Sequence, residues 1–191
     1  MGERPILFSA PMVRALLDGR KTQTRRVVKL LGADCIEERA WETHFLQSPW
    51  PWSPQADEWL ACPYGAPGDR LWVRETWAPH DTKKLAFYRA DHPEWTTGDG
   101  GDVDRWRPSI HMPRWASRIT LEVTGVRVER LNNISDADAR AEGCPFDEPP
   151  AGKPWAWFRK LWMDINGADS WAANPWVWVV SFKRVEEVSR G

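Results

Sequence analysis

An α+β fold, in which a small and mostly β barrel carries short helices at its rim and long loop insertions, is predicted by three observations. Strand patterns recur, alternating over 70–77 and 119–131 and apolar on both faces over 176–182. Short helical signatures with their own start and stop residues lie between the apolar runs. Two stretches rich in proline, tryptophan, glycine and aspartate, about 31–67 and 91–117, follow neither period and read as insertions in a single domain spanning 1–191. A chain of 191 residues can bury one substantial core without a second domain.

Pro5-Ile6-Leu7-Phe8-Ser9 reads as the opening strand. Pro11 suits the first turn of a helix, where its missing N–H costs little, and Met12, Ala15 and Leu16 give that helix an apolar stripe before Gly19 stops it. Lys21 to Val28 is then extended. In a regular strand Lys21, Gln23 and Arg25 face one way, and Thr22, Thr24 and Arg26 the other. Gly68-Asp69 turns the chain into the alternating strand Arg70-Leu71-Trp72-Val73-Arg74-Glu75-Thr76-Trp77, and between Trp106 and Trp115 two prolines argue against helix.

Ile119 to Leu131 is the clearest strand. Ile119, Leu121 and Val123 share one parity and Val126 and Val128 the other, so a bulge or bend near Thr124-Gly125 is needed to keep both sets on the core. Ser135 and Asp138 form a capping-box pair ahead of an alanine-rich helix that Gly143 ends. Pro154 starts another helix, in which Trp155, Phe158, Trp162 and Ile165 recur at helical spacing. Trp176 to Phe182 is apolar on both faces, which suits a central strand rather than an edge.

Lys and Arg (26) balance Asp and Glu (27), so overall charge neither favours nor excludes nucleic acid, and local patches decide. The densest basic patch is Gly19-Arg20-Lys21-Thr22-Gln23-Thr24-Arg25-Arg26. Guanidinium groups present forked donors to phosphate and stack on bases, so Arg20, Arg25 and Arg26 suit RNA as a single strand, or a nucleoside, better than a duplex. Their other reading is ion pairing with the acidic residues that begin at Asp34.

The 15 tryptophans can build a core or a flat binding surface. Trp155, Trp162, Trp176 and Trp178 carry regular periodicity and read as core, whereas Trp77 and Trp115 adjoin polar or basic residues and read as cleft residues. His111, near Ser109 and Arg114, is placed to donate to a ligand. Cys35, Cys62 and Cys144 are too scattered for a disulfide framework or zinc knuckle. No cluster has metal-ligand spacing and no glycine loop cradles phosphates, so neither metal nor cofactor is expected. The absence of a leader pattern or an apolar span leads to the expectation of a cytoplasmic protein with no membrane partner.

The run Asp18 to Arg26, the strand entry Gly68 to Glu75 and the closing Trp176 to Phe182 resemble the ASCH domain, a relative of PUA domains. Ile6-Leu7-Phe8-Ser9, Trp106 to Trp115 and Asn174-Pro175-Trp176-Val177-Trp178-Val179 resemble an uncharacterised subgroup of that family found in bacteriophages and prophages. The resemblance implies a PUA-like pseudo-barrel with short helices and a cleft for RNA or a modified nucleoside. Small bacterial members similar to this chain around Lys21 and Thr24 are amidohydrolases that remove the acetyl group of N4-acetylcytidine. By that resemblance Lys21 activates the nucleophile, Thr24 is the nucleophile, and Glu142 is the glutamate that follows the long central strand. Other members are described as ribonucleases or RNA-binding modules, so the fold does not fix the activity.

The chemistry adds conditions. A threonine hydroxyl needs a base, and Lys21 serves as one only where burial or neighbouring cations hold it neutral. For Lys21 and Thr24 to serve one substrate, the backbone must depart from regular strand between Lys21 and Gln23; otherwise Thr24 is a strand residue chosen for its branched side chain. Glu142 stands against the negative end of its helix at a cost of about 0.3–1 kcal/mol, which suits a functional carboxylate as well as a surface one. Glu75 is a rival carboxylate whose other reading is a buried Arg–Glu pair. The expected functions are thus RNA or modified-nucleoside binding, cofactor-free amide hydrolysis ahead of ribonuclease action, or attachment of a host protein through the tryptophan-rich insertions at Trp50, Trp52 and Trp59.

Overall fold

A computed structural model describes residues 2–28, 52–53, 58–59, 61–80, 85–95, 103, 105–145 and 153–185. Most of the first insertion, with Cys35 and the acidic residues from Asp34, lies outside these residues, as do the side chains of Trp50, Trp52 and Trp59. Strands run over Glu3–Leu7 (β1), Gln23–Val27 (β2), Trp52–Ser53 (β3), Glu58–Trp59 (β4), Arg70–Arg74 (β5), Trp77–His80 (β6), Leu85–Tyr88 (β7), Thr120–Arg130 (β8) and Trp176–Val185 (β9). Helices span Ala10–Leu17 (α1), Asp136–Ala141 (α2) and Pro154–Asn166 (α3). Among the described residues no helix is long and apolar enough to cross a membrane.

The main sheet has five strands in the order β1-β5-β8-β9-β2, with two-stranded sheets β3-β4 and β6-β7 beside it. β1 runs parallel to β5, and every other neighbouring pair in the main sheet is antiparallel. β9 is central, between β8 and β2, and period two explains its continuous apolar run. Trp176, Trp178, Val180 and Phe182 enter the core beneath α1, whereas Val177 and Val179 enter a second cluster with Ala139, Phe158 and Trp162 of the other helices. The register of β8 on β9 shifts between Val123 and Gly125, so one added residue returns Val128 to the core that already holds Leu121 and Val123.

The sheet is mixed and open; the pseudo-barrel expected from the sequence does not form. Its edges β1 and β2 share no ladder. Side chains span the seam instead: Arg26 Nη2 donates to Leu7 O at 2.9 Å, and the Phe8 ring lies 5.3 Å from the Arg26 guanidinium and 5.4 Å from Lys21 Nζ. Guanidinium and phenyl contacts thus stand at the seam in place of a main-chain ladder.

Helix α3 also turns differently from its sequence pattern. Pro154, Phe158 and Trp162 are its buried residues, whereas Trp155 and Ile165, expected on the same stripe, are exposed. Pro154 takes the inward position at the helix start, which sets the i, i+4 stripe one residue earlier and leaves Trp155 near the surface with its N–H 3.3 Å from Asp136 Oδ1. Trp155 is therefore not core, in contrast to Trp162, Trp176 and Trp178.

Candidate functional site

The site begins where the chain leaves α1. Gly19, with φ +75, carries it past the helix end, and the Lys21 N–H bonds Ala15 O at 3.0 Å. Lys21 then pairs with Glu142 as an isolated antiparallel bridge, the Thr22 N–H bonds Ala141 O, and regular pairing with β9 starts only at Gln23. The departure from strand regularity falls between Lys21 and Gln23, because the end of α2 competes with β9 for the backbone. Gly143 makes that approach possible: its φ is +101, and a Cβ there would lie 3.0 Å from Ala15 Cβ and 3.3 Å from Lys21 Cβ.

The end of α2 in turn is set by its beginning. Ser135 Oγ accepts from the Asp138 N–H while the Asp138 carboxylate reaches back to the Ser135 N–H, a reciprocal cap that fixes where the helix starts and so where Glu142 falls. Lys21 Nζ donates to Glu142 Oε2 at 2.8 Å, to Glu142 O at 2.9 Å and to Gln23 O at 2.8 Å. A cation placed on the last carbonyls of α2 reverses the unfavourable position of the Glu142 carboxylate at a helix C-terminus. Burial pushes the Lys21 amine below the ordinary lysine range, and Glu142 opposes that shift. Three acceptors around three N–H bonds are the surroundings of an ammonium, since a neutral amine would turn its lone pair on one of them.

Arg25 completes the cluster. Its side chain is fully buried, with Nη1 3.2 Å from Glu142 Oε1 and Nη2 2.5 Å from Glu129 Oε1 and 3.4 Å from Asp138 Oδ2. Arg127 adds bonds to Glu129 and Asp138 at 3.1 and 2.9 Å. Lys21, Arg25 and Arg127 thus face Glu129, Asp138 and Glu142, and the network closes with its formal charges balanced. Arg25 holds the site together and has no charge to spare for a phosphate. Among the described residues its partners come from β8 and from α2 and its C-terminal end, and the acidic residues after Asp34 lie outside the described residues.

The strand parity read from the sequence governs the rest. Lys21, Gln23 and Arg25 bond around Glu142, while Thr24 Oγ1 accepts from Arg26 Nη1 at 2.7 Å. Thr24 is fully buried, and its bond runs to Arg26 instead of to Lys21 or Glu142. Arg26 also donates to the carbonyls of Arg25 and Leu7, all neutral acceptors, and among the described residues no carboxylate pairs with it. Arg20 is exposed, bonds Gly143 O at 3.0 Å and pairs with Asp18 at 2.8 Å.

A cavity of about 470 Å³ opens at the unpaired seam between β1 and β2. Phe8, Phe158, Leu161 and Trp162 supply apolar wall, and Arg25, Arg26, Glu142, Thr76, Ser109 and Asn166 bring polar groups to it. Trp162 is buried, and its indole N–H has no hydrogen-bond partner among the described residues. An unpaired buried donor costs about 1–3 kcal/mol. Neither Lys21 nor Thr24 lines this cavity; Lys21 acts on it through Glu142.

Glu75, Trp77, His111 and Trp115 do not line the cavity, although Thr76, between Glu75 and Trp77 in sequence, and Ser109 do. Glu75 is buried in a forked pair with Arg118 at 3.0 and 3.1 Å, and Arg118 rests on the Tyr88 ring at 3.9 Å. Burial raises the Glu75 carboxyl above its ordinary range, and Arg118 opposes the shift. Trp77 is buried edge-on against the exposed Trp115 at 5.6 Å, and His111 is an exposed residue of the 3-10 turn Ser109–His111.

No family model matches the chain, and no curated protein matches it. The chain is similar to the crystal structure of an ASCH domain from Lactobacillus crispatus JV V101, at 13% identity and a TM-score of 0.43, over 96% of this chain and 79% of that one. It is also similar to a DUF984 protein from Enterococcus faecalis V583, at 10% identity and a TM-score of 0.45, over 100% of this chain and 84% of that one.

Phe8, Leu161 and Asn166 were missed by sequence reasoning as site residues, as were Glu129 and Arg127. The signal for the helix residues was present: Phe158, Trp162 and Ile165 repeat at helical spacing, but a stripe that packs a core and a stripe that walls a cavity are written alike.

Proposed function

We propose that the chain binds a modified nucleoside of the cytosine type in the cavity between β1 and β2. The observation that carries this reading is the combination of aromatic walls with a cation at one cavity: Phe8, Phe158 and Trp162 beside the Arg26 guanidinium, which neutral acceptors hold. A planar ring with carbonyl acceptors answers both, the rings by stacking and the donors by hydrogen bonds. The volume suits a nucleoside-sized ligand, and the balanced Lys21–Arg25–Glu142 network fixes the carboxylate that faces it. Titration calorimetry with cytidine and N4-acetylcytidine tests the reading. Saturable binding is expected, weakened about tenfold or more by Arg26→Gln; heats indistinguishable from dilution for both compounds would remove it.

Amide hydrolysis is the second reading, favoured by the buried Lys21 with its lowered pKa. Thr24 Oγ1 would add to the acyl carbonyl as its proton passes to a neutral Lys21. The amine would leave with a proton, and water would release acetate. That route needs Thr24 freed from Arg26 and Lys21 freed from one of its three acceptors, so binding accounts for the geometry with fewer changes. Acetate release from N4-acetylcytidine, followed by chromatography, decides between them.

A further inference from the structure

A second cavity of about 330 Å³ meets the first at Met12, Glu142 and Leu161, all of which line both. The two cavities therefore adjoin beside α1 and α3, as neighbouring lobes. The second lobe differs in its charge. Arg14 and Arg20 line it, with Trp157 on the α3 side. Arg14 Nη1 donates to Ala90 O at 3.1 Å, and no carboxylate among the described residues pairs with it. Arg20 is held by Gly143 O and by Asp18, in a pair whose side chains are 39% and 55% exposed. Exposed pairs of this kind contribute little and exchange readily for a stronger anion. The lobe's own carboxylate, Glu142, is offset by Lys21 and Arg25, which leaves the lobe cationic.

We infer that this second lobe takes the phosphate of a nucleotide whose base occupies the first. The inference rests on the nucleoside reading of the first lobe and adds the form in which that nucleoside arrives. Two guanidinium groups offer forked donors to phosphate oxygens, and Met12 and Leu161 form an apolar boundary common to the two lobes.

The test compares calorimetric affinities of N4-acetylcytidine and its 5′-monophosphate for the wild type, Arg14→Gln and Arg20→Gln, at low and high salt. The monophosphate is expected to bind about tenfold tighter than the nucleoside. That advantage should shrink with salt and fall in each variant, with nucleoside affinity within about twofold of wild type. Inorganic phosphate should compete with the monophosphate and not with the nucleoside. A nucleoside that binds as well as its monophosphate would overturn the inference and leave the first-lobe reading standing. A monophosphate advantage untouched by both substitutions would also overturn it, by moving the phosphate elsewhere. If neither compound binds, the first-lobe reading fails and the inference falls with it.

Discussion

Lys21 Nζ lies 2.8 Å from Glu142 Oε2, with both side chains shielded from solvent. Breaking a buried pair from one side leaves the other charge without compensation, at a cost of about 3–5 kcal/mol. Lys21→Met and Glu142→Gln are each expected to lower stability by that order in urea unfolding. Lys21→Met combined with Glu142→Gln should cost less than the sum, because the pair is then removed from both sides. An additive double variant would show that Arg25, and not Lys21, is the partner that matters to Glu142.

The Trp162 indole N–H separates stability from binding. Trp162→Phe removes an unpaired buried donor along with part of the ring, so the loss of packing is partly offset and the unfolding midpoint should move little. Affinity for a cytosine nucleoside should stay within about twofold of wild type, because the indole nitrogen is sealed from the cavity while the ring still forms its wall. A loss of about fivefold or more would show that the cavity rearranges on binding to bring this donor to the ligand.

Much of this arrangement was legible in the sequence, and the reasons differ from residue to residue. The Ser135–Asp138 cap and the bulge at Thr124-Gly125 follow from local rules, since a cap needs only four residues and a parity change needs only one strand. The open sheet was not legible, because strand patterns say which faces are apolar and not whether the two edges meet. Arg25 was read as a ligand residue because its neighbours in sequence are basic. Its actual partners, Glu129 and Glu142, stand 104 and 117 positions away on other elements. The irregularity expected at Lys21 to Gln23 is present as the bridge to Glu142, yet Thr24 still bonds Arg26, so a local bend does not by itself bring two side chains together.

Asp138 gives the network its acid-side signature. Burial pushes its carboxyl up, but the Ser135 hydrogen bond and the Arg25 and Arg127 charges outweigh it, and the net value lies below the ordinary 3.8. As pH falls the unfolded chain therefore takes up this proton before the folded one does. The stabilisation is complete above 3.8 and disappears as pH drops through the folded value. In urea unfolding across that range, Asp138→Asn should be the less stable protein at neutral pH and should converge on wild type in acid. Parallel curves would assign the acid loss to other carboxylates.

Gly143 controls how closely α2 meets the Lys21 turn. Gly143→Ala combines a φ of +101 with a Cβ 3.0 Å from Ala15 Cβ, so stability should fall by about 1–3 kcal/mol as the backbone shifts. The same shift moves Glu142, its neighbour in sequence, so nucleoside affinity should fall along with the unfolding midpoint. Ala15→Gly in the same chain relieves the contact but not the dihedral strain, so it should recover part of the loss in both measurements. No recovery would make the dihedral the whole cause.

Thr24 distinguishes a binding cleft from a catalytic one. Its hydroxyl is fully buried and accepts from Arg26, so in a binding site its task is to orient that guanidinium. Thr24→Val keeps the branched shape and removes the acceptor, leaving Arg26 held by two carbonyls. Nucleoside affinity should then fall about three- to tenfold, and Thr24→Ser, which restores an acceptor, should recover most of it. In a hydrolase the same Thr24→Val would abolish acetate release from N4-acetylcytidine while leaving the compound bound, and Thr24→Ser would retain turnover. Affinity and acetate release measured on the same three proteins therefore assign Thr24 to one role or the other: a positioning residue weakens binding when changed, whereas a nucleophile stops the reaction without releasing the substrate.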